Sequence, residues 1–388
     1  MKVRLTALTP IHIGGREGAL NPLEFVLFEG RCYVVSEDKL AAVLQEQGKI
    51  DTFYTWFTGK DRPALHDFLR EQRLLDVHFL KRIAAYSSVA PTRIERDLRP
   101  CVRDAFHRPF LPGTGLKGAI RTAFLYKLLK DLQLEQRKKI LDDFVASRLQ
   151  EYRQDSRGQR GFRWFQDRFK QWFAQRMEEG VFQRFTLREN ERRYDPHTDL
   201  FRCLRVTDSP PLNAEVARVE EIKIFSARSA DSPKRFSLYA ECVPAGSVFE
   251  WESSVDEMTL AEFRKRNQRT WLGTDFATLE EMLRNPLKVW AEMGQDLWQE
   301  ETQFFSKEFG FSDVMPENKG RPVVRLGWGA GLLGTSVDML LSDPLLQDLR
   351  NTLFTNRGNT PAPKSRRLVI QDNNRRVPLG WATVECVG

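Results

Sequence analysis

A chain of 388 residues that is 41% hydrophobic and carries 27 phenylalanines can bury a substantial core, which excludes a disordered polypeptide. Lysine and arginine number 60 against 53 acidic residues, a balance that suits a polyanionic partner, most simply nucleic acid. The five cysteines are scattered without CxxC spacing, which excludes a zinc ribbon or a redox motif and fits a reducing cytoplasm. No apolar run approaches the roughly 20 residues of a membrane-spanning helix.

Val3, Leu5 and Ala7 alternate with Lys2, Arg4 and Thr6, predicting a half-buried first strand rather than a signal peptide. A turn through Thr9, Pro10, His12, Gly14 and Gly15 follows. Strands over 23–28 and 32–35 flank Glu29 and Gly30 and read as a hairpin. Ser36 can cap a helix to about residue 47, and further helical patterns run to about residue 85. The segment 91–108 is dense in arginine, with Arg93, Arg96, Arg99, Arg103 and Arg108.

Next comes Pro112, Gly113, Thr114, Gly115, Leu116, Lys117 and Gly118, which reads as a strand end, a glycine turn and the opening of a helix. Thr114 can cap that helix. Lys117 and Arg121 stand four residues apart on one helical face, so orphan amides, the positive end of the dipole and two cations converge on a phosphate site. It is not a Walker loop, because Gly118 follows Lys117 and no hydroxyl is placed for magnesium. The alternative is a tight connection with a solvated Lys and Arg.

A long charged helical region continues to about residue 188. Strands are predicted over 201–206, 216–225, 236–243 and 248–252, and helices between 259 and 309. A strand over 323–326 leads into Gly327, Trp328, Gly329, Gly331 and Gly334, then a helical pattern to about residue 346. These glycines can lay backbone amides against a sugar–phosphate chain or pack against the protein's own core. An exposed loop over 356–364 and strands over 367–371 and 381–387 close the chain. Two strand-rich halves, each with a strand-to-helix crossover, predict an α+β fold: a ferredoxin-like core with helical insertions. The expected organisation is 1–129 as the first part of the core with the phosphate turn, 130–193 as a helical insertion, and 194–388 as the second strand-rich part with the glycine loop.

The ordered set of Thr9 to Gly15, Pro112 to Thr122, Cys203 to Ser209, Arg325 to Gly334 and Pro378 to Trp381 resembles the RAMP superfamily of CRISPR effector proteins. Within it, the set is most similar to the branch that caps the guide RNA in type III-A (Csm) complexes, the fifth subunit. The chain departs where such members carry two serines, having Thr114 and Gly115 instead. The resemblance implies an RNA-recognition-like RAMP fold and a non-catalytic role on the 3′ side of the guide RNA. It implies guide-RNA contact by Lys117, Arg121 and the loop Gly327, Gly329, Gly331 and Gly334. Expected partners are the guide RNA (crRNA), target RNA, backbone-type RAMP subunits and nucleases recruited for 3′ trimming. No cofactor, metal or membrane partner is expected.

Some RAMP relatives cleave precursor guide RNA without metal through a histidine, which makes His12 the alternative catalytic residue. Its apolar neighbours Ile11 and Ile13 equally suit a structural histidine. Asp208 reads as an Asx-type turn, and Asp97 and Asp104 as ion-pair partners of nearby arginines. Phe162, Phe165, Phe169, Trp172 and Phe173 fall on one helical stripe, with Trp164 off it as a stacking candidate. Arg93 and Arg108, just before the phosphate turn, suit either RNA contact or a solvated face. A protein-interaction module with incidental RNA contact is the third reading.

Overall fold

The computed structural model describes the chain except residues 16–17, 96, 156–173, 188–194, 228–231, 267, 271, 354–359, 372–373 and 388. The alternation of the first strand, Lys2–Ala7, sends Val3, Leu5 and Ala7 into the core and leaves Lys2 and Arg4 outside, ion-paired with Glu250 at 2.7 and 2.9 Å. This strand is the middle of a five-stranded antiparallel sheet. Val323–Arg325, Trp381–Cys386, Lys2–Ala7, Val248–Val255 and Leu204–Val206 follow one another across it. Leu5 is opposite Val384 on one side and Phe249 on the other.

Two helices, Gly113–Lys130 and Pro286–Phe304, cover the buried face. They are tied to each other by Tyr126 to Asp296 (2.8 Å) and Lys127 to Glu292 (2.9 Å). Leaving out Val323–Arg325, chain order gives strand, helix, strand, strand, helix, strand, with the fourth, first, third and second strands adjacent. That is the ferredoxin-like arrangement expected from the sequence.

The second sheet is assembled from insertions into this core. Arg376–Pro378, Ser365–Ile370, Arg218–Ser226, Ala84–Val89, Arg31–Val35 and Phe25–Phe28 run across it in that order, and Leu238–Cys242 branches from Arg218–Ser226. The predicted hairpin is present: Phe28 pairs with Arg31 across a two-residue turn, with φ of 47° at Glu29 and 73° at Gly30. Ser36 caps the helix Glu37–Glu46. That helix and Leu65–Glu71 and Val77–Ile83 bury Val43, Leu44, Phe68 and Leu80 against the hairpin. Of the region 130–193, the structure describes the helix Leu134–Asp155 and short helical turns from Ala174 to Phe182. The aromatic stripe and Trp164 lie outside the described residues.

One buried carboxylate joins the two sheets. Glu301, on the helix Pro286–Phe304, accepts from Arg325 Nη1 of the first sheet at 2.9 Å and from Arg366 Nε of the second at 2.7 Å. Glu301 is 1% exposed. Burial raises its pKa, but Arg366 and Arg325 outweigh that and hold the carboxyl below its usual range. Removing one member of such a group strands buried charge, at about 3–5 kcal/mol. Glu301→Gln is therefore expected to lower stability by several kcal/mol at pH 7 in urea unfolding. Because the folded-state pKa is depressed, the deficit relative to wild type should shrink as pH falls through and below about 4.5.

Candidate nucleic-acid interface

The turn after the first strand threads between the sheets and is fixed at each step. Trp381 N–H donates to Thr9 Oγ1 at 2.9 Å, Gly380 N–H to Pro10 O at 2.9 Å, and Ile11 bridges Val243. His12 is 2% exposed, and its Nδ1 donates to Glu241 O at 2.7 Å. Burial lowers its pKa, so the imidazole is neutral at pH 7. Glu241, also buried, accepts from Ser88 Oγ (2.7 Å), Cys101 N (3.1 Å), Tyr86 Oη (3.2 Å) and Arg103 Nη2 (3.1 Å). The bond from Nδ1 and the burial fit the structural reading of His12, and the residue also lines a cleft with Gly14, Arg99 and Trp328.

The glycine loop closes on the same turn. Trp328 N–H donates to His12 O at 3.0 Å. Gly327 has φ of 82°, and a Cβ there would lie 2.3 Å from His12 O, so no other residue fits. Gly329 abuts Leu379, and Gly334 abuts Ala330 and Leu297. Of the two readings open for the spaced glycines, close packing within the chain accounts for most of them. Gly327, Gly329 and Gly334 serve close packing within the chain, whereas Gly331 borders open space.

The Pro112 turn is built differently from the sequence reading. The helix starts at Gly113 with Pro112 at its N-cap, and Thr114 lies exposed in the first turn. The cap expected of Thr114 comes instead from Asp208, whose Oδ1 accepts from Gly113 N–H at 2.6 Å. Asp208 therefore bonds distant backbone rather than closing a local turn. Ser209 doubles the junction: Leu111 N–H donates to its Oγ, and its own N–H donates to Leu111 O, both at 2.9 Å. A Cβ at Gly113 would lie 2.4 Å from Val206 O.

The two cations of this helix are not equivalent. Arg121 donates to Asp199 at 2.9 Å, pairs with Glu178 at 3.3 Å and lies 4.3 Å from the Phe182 ring centre, so its charge is engaged within the fold. Lys117 is half-buried, and desolvation lowers its pKa, opposed by Asp199 and reinforced by Arg121. Gly115 and Arg93 are exposed. Arg108 is held by Asp104 at 2.7 Å, as expected for that carboxylate. Among the described residues no cluster of three or more His, Cys, Asp or Glu side chains could hold a metal, and no helix is long and apolar enough to cross a membrane.

Sequence reasoning did not find Glu241, Asp199 or the capping role of Asp208. The signal for Glu241 was a lone carboxylate between Ala240 and Cys242 in an apolar strand, which calls for a buried partner. Capping predicts that Asp208→Ala costs about 0.5–2 kcal/mol in denaturant unfolding, while Asp208→Asn, an equally good cap, costs much less.

Comparisons with known proteins agree with this architecture. A family model described as the RAMP superfamily matches residues 4–333. A curated protein described as CRISPR system Cms protein Csm5, from Streptococcus thermophilus, is 31% identical over 140 residues, which span 32% of this chain and 37% of that relative. In the cryo-EM structure of a Csm–crRNA–target RNA ternary complex, one chain superposes with a TM-score of 0.68 at 22% identity, covering 99% of this chain and 100% of that one. The crystal structure of Csm5 from T. onnurineus superposes with a TM-score of 0.56, also at 22% identity, over 98% and 99%. With a family model that matches residues 4–333, well over half of the sequence, and this fold beneath it, the chain belongs to the RAMP superfamily.

Proposed function

We propose that this protein is a non-catalytic guide-RNA-binding subunit of a type III-A CRISPR interference complex in the cytoplasm. It caps the 3′ side of the guide RNA, touches backbone-type RAMP subunits and target RNA, and supports guide maturation by recruited nucleases. The similarity to Csm5 and the fold shared with a chain of a Csm–crRNA–target RNA complex support the assembly. The observation that carries the non-catalytic reading is the state of His12. The one histidine of the RAMP motifs is buried and neutral, and its Nδ1 is held by Glu241 O, which supports a structural part for it.

A subunit that accepts any guide sequence contacts phosphate and sugar rather than base edges. Lys117, not tied to a carboxylate by a direct ion pair among the described residues, is the cation of the Pro112 helix free to serve a phosphate. Thr114 and Gly115 lie exposed on the same first turn. Arg93 and Arg108 supply positive charge from the arginine-dense segment, and Gly331 is the point of the glycine loop where a strand can approach.

Two measurements test this. Lys117→Ala should weaken guide binding for all sequences alike and lower the salt slope by about 0.7, the loss of one single-strand phosphate contact. Arg121→Ala should chiefly lower the melting temperature, because it leaves Asp199 without its ion pair. Incubation of the purified chain with precursor guide RNA in EDTA should give no cleavage. Cleavage abolished by His12→Ala would reverse the assignment.

A further inference from the structure

Beside the lock between His12 and Gly327 lies a cleft of about 380 Å³, lined in part by Gly14, Gly15, Gly18, Arg99, Gly327 and Trp328. Its size is at the lower end of the roughly 300–1,000 Å³ of small-ligand sites. Two guanidinium groups pack against the Trp328 ring: Arg99, which lines the cleft, lies 4.8 Å from the ring centre, and Arg367, which stands outside the cleft lining, lies 4.5 Å from it. Arg99 ends the short strand Leu98–Arg99, and Arg367 belongs to Ser365–Ile370, so they come from separate insertions.

Neither arginine has a carboxylate or hydrogen-bond acceptor for its side chain among the described residues. The buried arginines nearby are all matched: Arg103 to Glu241, Arg325 and Arg366 to Glu301. Burial, and then the charge of Arg99, act against protonation of Arg367, and Arg99 also disfavours charge on His12. Like charges held against one ring, with Arg367 partly desolvated, cost free energy unless an anion joins them. Guanidinium forks match phosphate oxygens bidentately and keep their charge at any physiological pH. The ring holds both forks by cation–π contact.

We propose that Arg99 in this cleft and Arg367 beside it, both pre-positioned by Trp328, form a phosphate clamp that holds one phosphodiester of a single-stranded RNA. The inference rests on the RNA-binding reading and adds a site made by neither the Pro112 helix nor the glycine amides. The free protein carries the repulsion, and the bound strand relieves it.

The test uses the purified full-length chain and a fluorescent oligouridylate, with affinity measured by anisotropy across a salt series. Arg99→Gln with Arg367→Gln should weaken binding about tenfold or more and lower the salt slope by about 0.7. Arg62→Gln with Lys81→Gln, an equal charge change on exposed sites of the helical region that follows the hairpin, should leave affinity within about twofold. Arg99→Gln alone should melt no lower than wild type, since it removes repulsion at an exposed position. Unchanged affinity and slope in a folded double variant would overturn the clamp and leave the RNA-binding reading standing. Equal loss in the control pair would also overturn the clamp. Absence of binding by folded wild type would overturn both.

Discussion

The carbonyl oxygen of His12 occupies the space in which a side chain on Gly327 would begin. That contact joins the turn after the first strand to the loop before the last insertion, and the geometry of the interface depends on it. With it in place, His12 reaches Glu241 O, Trp328 stands against the imidazole edge, and a cleft opens on the far side of the same turn. At Gly327 the missing side chain lets two backbones meet, and at Gly329 and Gly334 it makes room for Leu379, Ala330 and Leu297, which fixes where Trp328 and the adjoining cleft lie.

Around this lock the fold treats its buried charges consistently. Glu241 is surrounded by donors from Ser88, Cys101, Tyr86 and Arg103, and Glu301 lies between Arg325 and Arg366. Buried carboxylates matched in this way are strongly destabilising to break, even where their net stabilisation is small. Both link elements far apart in sequence, and Glu301 bridges the two sheets. Against that background Arg99 and Arg367 stand out, with no carboxylate partner among the described residues. The same logic separates Arg121, which is spent on Asp199 and Glu178, from Lys117.

Local chemistry made much of this legible in the sequence. The alternation of Lys2 to Ala7, the turn at Glu29 and Gly30, the cap at Ser36 and the strand-to-helix crossover at Pro112 each follow from periodicity or turn preference. The second expected crossover, at the glycine loop after Val323–Arg325, is not the core's own, which runs from Val248–Val255 through Pro286–Phe304. The second sheet was harder to read, because Ser365–Ile370 pairs with Arg218–Ser226 and Leu98–Arg99 is two residues long within an arginine-rich stretch. The site was partly misread for the same reason. Thr114 looked like the cap because it was near, whereas the group that caps Gly113 comes from Asp208, 95 residues away. Arg121 looked free because Asp199 is 78 residues distant. Pairings over such separations leave no periodic mark.

The central claim is that RNA runs along the face holding the glycine loop and Trp328, and not along the opposite face of the five-stranded sheet, where Lys2 and Arg4 are paired with Glu250. The most direct measurement is a cryo-EM map of this chain assembled with sibling RAMP subunits and guide RNA. The account predicts guide backbone density beside Trp328, with a phosphate within hydrogen-bonding distance of Arg99 and Arg367. A guide strand that crosses the Lys2 and Arg4 face, leaving the cleft to solvent, would contradict it.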